Sequence, residues 1–310
     1  MNERLKYAML FLIWYPLRKL LRAFTSQRGN YRRLLTIGDL FGDMFYFFFP
    51  IGRQILRREL ENFSLYEPSY VRETFRHIMK IEMEGMVFED LNHRMIENIT
   101  VFRGLNHLGE SLTKGKGVVL ALVHFGWHMH TIPALGYMGY KINQIADARP
   151  VDLEIDRDFF HRRVIEKRLE NAANLPVTFI RAGSYLRPLI RTLEKNEILI
   201  VALDGREAKT FKPYSLLNRR IMLSPVMLRV AERVGSPILP MFTYRGEDGR
   251  HRVIIHPSLR PNDPDQMVEE FLHIFEGYFR ERPYQYAQYL LFNALRSRGR
   301  AGEEFSPLVS

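Results

Sequence analysis

The fold is decided by residues 117–130, which read GVVLALVHFGWHMH. Residues 118–123 are six consecutive apolar side chains with no polar alternation, which is typical of a strand buried on both faces of a sheet. This strand ends directly at His124. We therefore expect an imidazole at the tip of a central strand, followed by a helix through Leu135.

The same organisation continues along the chain, where short apolar runs alternate with amphipathic segments. Further strands are predicted at residues 141–145, 177–180, 198–203, 238–244 and 252–256, and further helices at 156–173, 185–195, 224–234 and 265–281. Such alternation predicts an α/β fold with a mainly parallel sheet flanked by helices. Before about residue 115 the pattern is helical, including residues 70–92. No repeat or linker interrupts the chain, so we predict a helical N-terminal extension at 1–60 and one α/β domain at 61–310.

Composition excludes several classes of protein. The 310 residues are 46% hydrophobic and 26% charged, which fits a folded protein and neither a disordered chain nor a polytopic membrane protein. The chain has no cysteine, so disulfide scaffolds, cysteine nucleophiles and thiolate metal sites are excluded. The formal net charge of +10 implies an anionic partner. Residues 1–60 hold eleven basic and four acidic side chains, and so carry most of that charge.

Two apolar runs lie within this basic segment, YAMLFLIWYPL at 7–17 and MFYFFFPI at 44–51. Both are too short to span a bilayer, and basic residues stand where a signal-peptide cleavage site would be. Apolar bulk beside basic clusters favours amphipathic helices that lie on an anionic membrane surface. The alternative is that these are the first helices of a soluble core with a solvated basic face. Nucleic acid is not expected as a partner because no nucleic-acid-binding signature occurs.

Polar side chains follow three of the predicted strands. Because the carboxyl ends of parallel strands meet at one edge of a sheet, these side chains are expected to share one crevice. They are His124, His128 and His130 after the first strand, Arg149 after the second, and Asp204, Glu207, Lys209 and Lys212 after the third. A single histidine at a strand end is commonly structural, but three such ends together favour a catalytic site.

Several blocks of sequence resemble one known family. They are HFGW at 124–127, ARP at 148–150, ILIVALDG at 198–205, Ser224-Pro225, VGSPILPMF at 234–242, RPYQYAQYLLFNALR at 282–296 and RRELENFS at 57–64. In order and spacing, over nearly the whole chain, these blocks resemble the lipid A biosynthesis (lauroyl/myristoyl) acyltransferase family of the lysophospholipid and glycerolipid acyltransferase superfamily.

The resemblance implies a membrane-associated enzyme that moves a fatty acyl chain to a hydroxyl or amine of a lipid or glycolipid. The donor would be a thioester of acyl carrier protein or coenzyme A, with no other cofactor and no metal. The implied location is the cytoplasmic face of a bacterial inner membrane. His124 would act as general base, because a neutral imidazole suits proton transfer near neutral pH. Arg149 would stabilise an oxyanion or a phosphate.

The loop after residue 205 is basic, and its cations would hold phosphates of the acceptor or donor. These residues are Lys209, Lys212, Arg219 and Arg220. A solvated basic loop explains them equally well.

The family signature is a histidine, four residues, then an acid, and here Met129 occupies the acid position. Asp204 or Glu207 could supply the missing carboxylate, or His128 and His130, which we also expect to contact substrate, could share the role. Two other functions stay open. Three histidines could bind a metal, because His124 and His128 would share one helix face. Alternatively, the chain could be a non-catalytic relative that binds lipid or serves as a scaffold.

Overall fold

A computed structural model describes residues 28–87, 92–146, 174–181, 186–205, 210–260 and 263–299. The helices in these ranges are α1 (Arg28–Phe48), α2 (Pro50–Asn62), α3 (Pro68–Val87), α4 (His93–Ile99), α5 (Leu105–Leu112), α6 (His128–Tyr137), α7 (Leu186–Glu194), α8 (Val226–Val234), α9 (Pro264–Glu281) and α10 (Tyr284–Gly299). The strands are β1 (Thr100–Arg103), β2 (Val118–Leu122), β3 (Ile142–Ala146), β4 (Val177–Arg181), β5 (Ile198–Ala202), β6 (Lys212–Leu216), β7 (Arg219–Leu223), β8 (Ile238–Arg245) and β9 (His251–Ile255).

Seven strands form one sheet in the order β1-β9-β8-β2-β5-β3-β4. Every neighbouring pair is parallel except β8 and β9, which form an antiparallel hairpin. The predicted α/β fold with a mainly parallel, helix-flanked sheet is confirmed. The helix predicted at 156–173 lies outside the described residues.

The central strands are apolar throughout because both faces of the sheet are covered. In β2, Val119 and Ala121 join the core beneath α7, α8 and α9, whereas Val118 and Leu120 join the core beneath α5 and α6. The larger core is rich in aromatic side chains from α9, including Phe275. Burial on both faces explains why the run at 118–123 carries no alternation of polar residues.

Three stretches differ from the sequence-based expectation. Strand β1 lies in the region where only helices were expected. The helix predicted at 70–92 is described as far as Val87, and a separate helix begins at His93, where the Asn92 side chain accepts a hydrogen bond from the backbone of Met95. The prediction of a basic loop after residue 205 is wrong for residues 212–223, because these residues form the β6–β7 hairpin. Its alternate side chains, such as Tyr214 and Leu216, are buried in the larger core.

Helix α1 packs closely on α3. A side chain at Gly42 would place its Cβ 2.4 Å from the Cα of Arg76, so glycine is needed for this approach. The inner face of α1 includes the buried Leu34. Residues 28–60 are therefore part of the folded body, while the apolar run at 7–17 lies outside the described residues.

The outer face near the α1–α2 bend is apolar and exposed. Phe47 is 70% and Phe48 74% exposed. The other exposed members of this surface, which we call the bend patch, are Leu40, Met44, Phe45 and Ile51. Among the described helices, none alone is long and apolar enough to cross a membrane, although Tyr31–Phe48 and Pro50–Asn62 together meet that criterion with a 95° bend between them.

A buried ionic cluster ties α1 and α3 to the sheet. The carboxylate of Glu84 on α3 accepts hydrogen bonds from both terminal nitrogens of Arg245 on β8 and from the Tyr31 hydroxyl on α1. Nε2 of His251 on β9 lies 2.9 Å from the same carboxylate. Because these side chains come from four elements, the cluster fixes the helical extension against the antiparallel hairpin.

Candidate active site

His124 and Asp204 face each other because of strand register. Strands β2 and β5 run parallel, with Leu122 level with Ala202. The pairing extends one residue further, since the backbone N–H of Leu203 donates to the Leu122 carbonyl over 2.8 Å. His124 and Asp204 each lie two residues beyond these strand ends, and so they stand level across the same pair of strands.

The two side chains form a dyad. His124 Nδ1 lies 2.8 Å from Asp204 Oδ1, and the backbone N–H of His124 donates to Asp204 Oδ2 over 3.0 Å. The Asp204 side chain is 5% exposed, whereas that of His124 is 32% exposed. Nε2 of His124 has no hydrogen-bond partner in the described parts of the chain. A carboxylate at Nδ1 favours the tautomer with the proton on Nδ1, which leaves Nε2 free to accept a proton.

Gly126 turns the chain sharply after the dyad histidine. Its φ of +61° is left-handed, and an added Cβ would lie 2.0 Å from the backbone carbonyl oxygen of Thr243. Both features require glycine. Because residue 126 is glycine, the loop can pass in close contact with the backbone of the neighbouring strand β8 before α6 begins at His128.

Helix α10 holds this turn from the other side. The backbone N–H of Gly126 donates to the carbonyl of Gln285 over 3.0 Å, and the Gln288 side chain donates to the Gly126 carbonyl over 2.7 Å. The Gln285 side chain also exchanges two hydrogen bonds with the backbone of Arg245. Thus α10 joins the loop after β2 to the end of β8.

Two tyrosines on α10 complete the surroundings of the dyad. The Tyr286 hydroxyl donates to Asp204 Oδ2 over 3.3 Å. Burial, together with the Asp204 charge, raises the pKa of Tyr286 well above its ordinary value, so the phenol stays a donor. The Tyr289 ring stacks on the His124 ring with a centroid distance of 4.5 Å and an interplanar angle of 5°. Its hydroxyl donates to the backbone carbonyl of Asp204.

His128 and Met129 lie in the first turn of α6. The His128 ring stands edge-to-face with His124 at 4.7 Å, and its Nδ1 is buried without a hydrogen-bond partner in the described ranges. Burial, and then the nearness of His124, lowers the pKa of His128 well below its ordinary value, so this ring is neutral at pH 7. Met129 is 40% exposed, and its sulfur lies 3.8 Å from the amide nitrogen of Gln144.

His130 occupies a different place from the other two histidines. It is fully buried, its Nε2 lies 2.7 Å from the Thr100 hydroxyl, and its ring stacks on Trp127. This position belongs to the core beside β1, which does not fit the predicted contact with substrate. Within the described ranges, no group of three potential metal-binding side chains is arranged to hold an ion.

The predicted phosphate-binding cations of the hairpin do not form one cluster. Lys212 and Arg219 lie at opposite ends of the β6–β7 pair. Lys212 pairs with Asp265, and Arg219 pairs with Glu59 at 3.2 Å. Arg220 is exposed. The other predicted site residues, Arg149, Glu207 and Lys209, lie outside the described residues.

The residues that sequence reasoning missed are those of α10. The block RPYQYAQYLLFNALR contributes to the family resemblance, but the sequence predicts no role for its side chains. Its signal was the spacing of three residues between Gln285 and Gln288 and between Tyr286 and Tyr289, which places each pair on one face of a helix. What those faces contact could not be read from the sequence.

Comparison with known proteins identifies the family of the chain. A family model described as bacterial lipid A biosynthesis acyltransferase matches residues 36–292. The matched range runs from α1 into α10 and contains both dyad residues and both tyrosines. No curated protein matches the chain. Because the family model covers most of the sequence, the resemblance seen in its motifs is confirmed, and the chain belongs to the bacterial lipid A biosynthesis acyltransferase family.

Proposed function

We propose that this protein transfers a fatty acyl chain from a thioester donor to a hydroxyl or amine of a membrane lipid or glycolipid, with His124 as general base. The observation that carries the proposal is the dyad, in which Asp204 engages Nδ1 of His124 and leaves Nε2 open. Met129 at the family's acid position therefore does not leave the imidazole without a carboxylate.

Proton transfer would proceed through Nε2. The acceptor's O–H or N–H proton moves to Nε2 while its oxygen or nitrogen attacks the thioester carbonyl. The tetrahedral oxyanion then collapses, the carbon–sulfur bond breaks, and the leaving sulfur takes the proton from the imidazolium. Asp204 stabilises that imidazolium during the step and keeps its own negative charge.

Binding roles are proposed for the remaining polar residues. We assign oxyanion or phosphate stabilisation to Arg149, and phosphate contacts to Lys209 and Arg220, on charge alone. Lys212 and Arg219 are each paired with a carboxylate and are not assigned this role. Glu207, three residues after Asp204 in the sequence, is the second candidate carboxylate. Acyl carrier protein and coenzyme A both present phosphate to a basic rim, so the proposal includes either donor.

The direct test is product formation by purified protein. Wild-type protein given acyl carrier protein or coenzyme A thioesters and candidate lipid or glycolipid acceptors should yield an acylated lipid detected by mass spectrometry. His124→Ala should yield none above the uncatalysed background. Lipids from a deletion strain should lack the same product. If wild-type protein gives no product, and cells carrying His124→Ala have an unchanged lipid profile, the protein is a non-catalytic lipid-binding scaffold.

We also propose that the protein docks on an anionic membrane surface at the cytoplasmic face of the inner membrane. The bend patch supports this because its large apolar side chains face outward. Arg58 is an exposed cation on α2, seven residues after Ile51 and therefore on the same side of the helix. Apolar insertion beside basic side chains is the pattern of interfacial helices on anionic lipid.

If the protein docks on the membrane in this way, two variants should lose membrane binding. Deleting residues 1–24 should move the protein from the membrane pellet to the soluble fraction. Phe47→Ser with Phe48→Ser should weaken co-sedimentation with vesicles of phosphatidylethanolamine and phosphatidylglycerol by about tenfold or more, since burying a phenylalanine contributes roughly 2 kcal/mol. The control is Phe292→Ser, another exposed phenylalanine that lies outside the patch. Unchanged co-sedimentation of the double serine variant would mean that the bend patch does not bind membrane. Unchanged fractionation of the deletion variant would mean the same for residues 1–24.

A further inference from the structure

Helix α10 carries the one aromatic ring that is stacked face to face on the catalytic imidazole among the described residues. The Tyr289 and His124 rings are nearly parallel, with a 5° angle and 4.5 Å between centroids. The hydroxyl of Tyr289 is anchored on the Asp204 carbonyl, so the ring is held at both ends: by its own helix and by the strand end that carries the dyad acid.

A hydrogen bond at Nδ1 alone does not fix the imidazole plane, because the ring can still rock about the bond to Asp204. A flat aromatic surface against one ring face removes that freedom. The face of a tyrosine ring also carries negative charge density, and so it attracts an imidazolium more strongly than a neutral imidazole. The first effect orients Nε2 before the proton is transferred, and the second stabilises the imidazolium that the transfer forms.

We propose that Tyr289 is a positioning residue that fixes the plane of the His124 ring and stabilises the imidazolium formed during acyl transfer. The inference rests on the proposed function. It adds a part played by the C-terminal helix to a dyad built from two strand ends.

The groups that face His124 from each element are known in the described ranges. Asp204 faces it from the end of β5, His128 from α6 and Tyr289 from α10, with Tyr286 behind Asp204. Asp204 supplies the negative charge, and His128 is neutral. Removing the Tyr289 ring therefore weakens imidazolium stabilisation without changing any formal charge.

The test compares Tyr289→Leu, which removes the ring, with Tyr289→Phe, which keeps the ring and removes only the hydroxyl. Tyr289→Leu should lower kcat by roughly 10- to 30-fold with KM changed less than about twofold. The acid limb of its pH–rate profile should move to lower pH, because the imidazolium becomes harder to form. Tyr289→Phe should stay within about threefold of wild type. Phe292→Leu, an exposed position on the same helix, is the control and should match wild type.

A second variant tests the same role in case Tyr289→Leu folds poorly. A polyfluorinated phenylalanine at position 289 keeps the ring shape but withdraws charge from its face. Relative to Tyr289→Phe, it should lower kcat and move the acid limb to lower pH. The positioning role is wrong if wild-type protein forms product, His124→Ala does not, and the fluorinated and leucine variants behave like wild type. Absence of wild-type product would instead overturn the proposed function itself.

Discussion

Asp204→Asn is expected to lower kcat by about 10³- to 10⁴-fold while the protein stays folded, because it reverses the tautomer of His124. The backbone N–H of His124 donates to both carboxylate oxygens of Asp204, over 3.0 Å to Oδ2 and 3.2 Å to Oδ1, and the Tyr286 hydroxyl donates to Oδ2. The amide oxygen of asparagine accepts the shorter backbone bond and the Tyr286 hydroxyl bond when it takes the place of Oδ2. Its NH₂ group then faces Nδ1, which must become an acceptor, and the ring proton moves to Nε2. A protonated Nε2 cannot act as the base.

The control for Asp204 is Met129→Glu, which restores the family's acid at its usual position. Since Asp204 already occupies Nδ1, this variant should keep the wild-type rate or exceed it. The measurements are steady-state kcat with a saturating thioester donor and thermal unfolding of each variant. A double variant of His124→Ala and Asp204→Asn should be no slower than His124→Ala alone, because the two residues act as one unit. Near-normal turnover by a folded Asp204→Asn protein would show that catalysis does not depend on the pairing of His124 with Asp204.

Glu84→Ala is expected to lower the free energy of unfolding by about 3–5 kcal/mol, the largest stability effect predicted for this protein. Glu84 is 1% and Arg245 7% exposed, so deleting the carboxylate leaves a buried guanidinium without its partner. The Tyr31 hydroxyl and His251 also lose their acceptor. Urea unfolding followed by circular dichroism measures the change.

A matched surface pair provides the control. Glu61→Ala removes an exposed partner of Arg57, and its unfolding midpoint should lie close to that of wild type, because exposed ion pairs contribute little. Equal midpoints for Glu84→Ala and Glu61→Ala would mean that the buried cluster does not stabilise the fold.

The same cluster has a defined pH dependence. Burial alone would raise the pKa of Glu84, but the charge of Arg245 and the hydrogen bonds from His251 and Arg245 hold it well below its ordinary value. The Glu84 contribution is therefore complete above the pKa of an unfolded glutamate, 4.5. It is lost as pH falls further towards the folded value. The stability gap between wild type and Glu84→Ala should accordingly narrow below pH 4.5, and a constant gap down to pH 3 would contradict this.

The sheet was predictable because its strands carry their own signal. Runs such as residues 118–123 and 198–203 are short and apolar throughout, which is typical of strands buried on both faces of a sheet. The hairpin of β6 and β7 was not predictable in the same way. Its exposed basic residues conceal the alternation of Tyr214 and Leu216, and these side chains become buried only because α9 and the sheet supply a surface to cover them.

For the site, the sequence alone determined the family, the histidine at the end of β2 and two carboxylates that could replace the missing motif acid. The choice of Asp204 as the observed partner depended on the register of β2 against β5, which sets His124 and Asp204 level. The part played by Tyr286 and Tyr289 depended on α10 folding back over both strand ends. Local pattern reports which residues are apolar or polar along an element, whereas contacts between residues some 80 positions apart arise only when the elements pack.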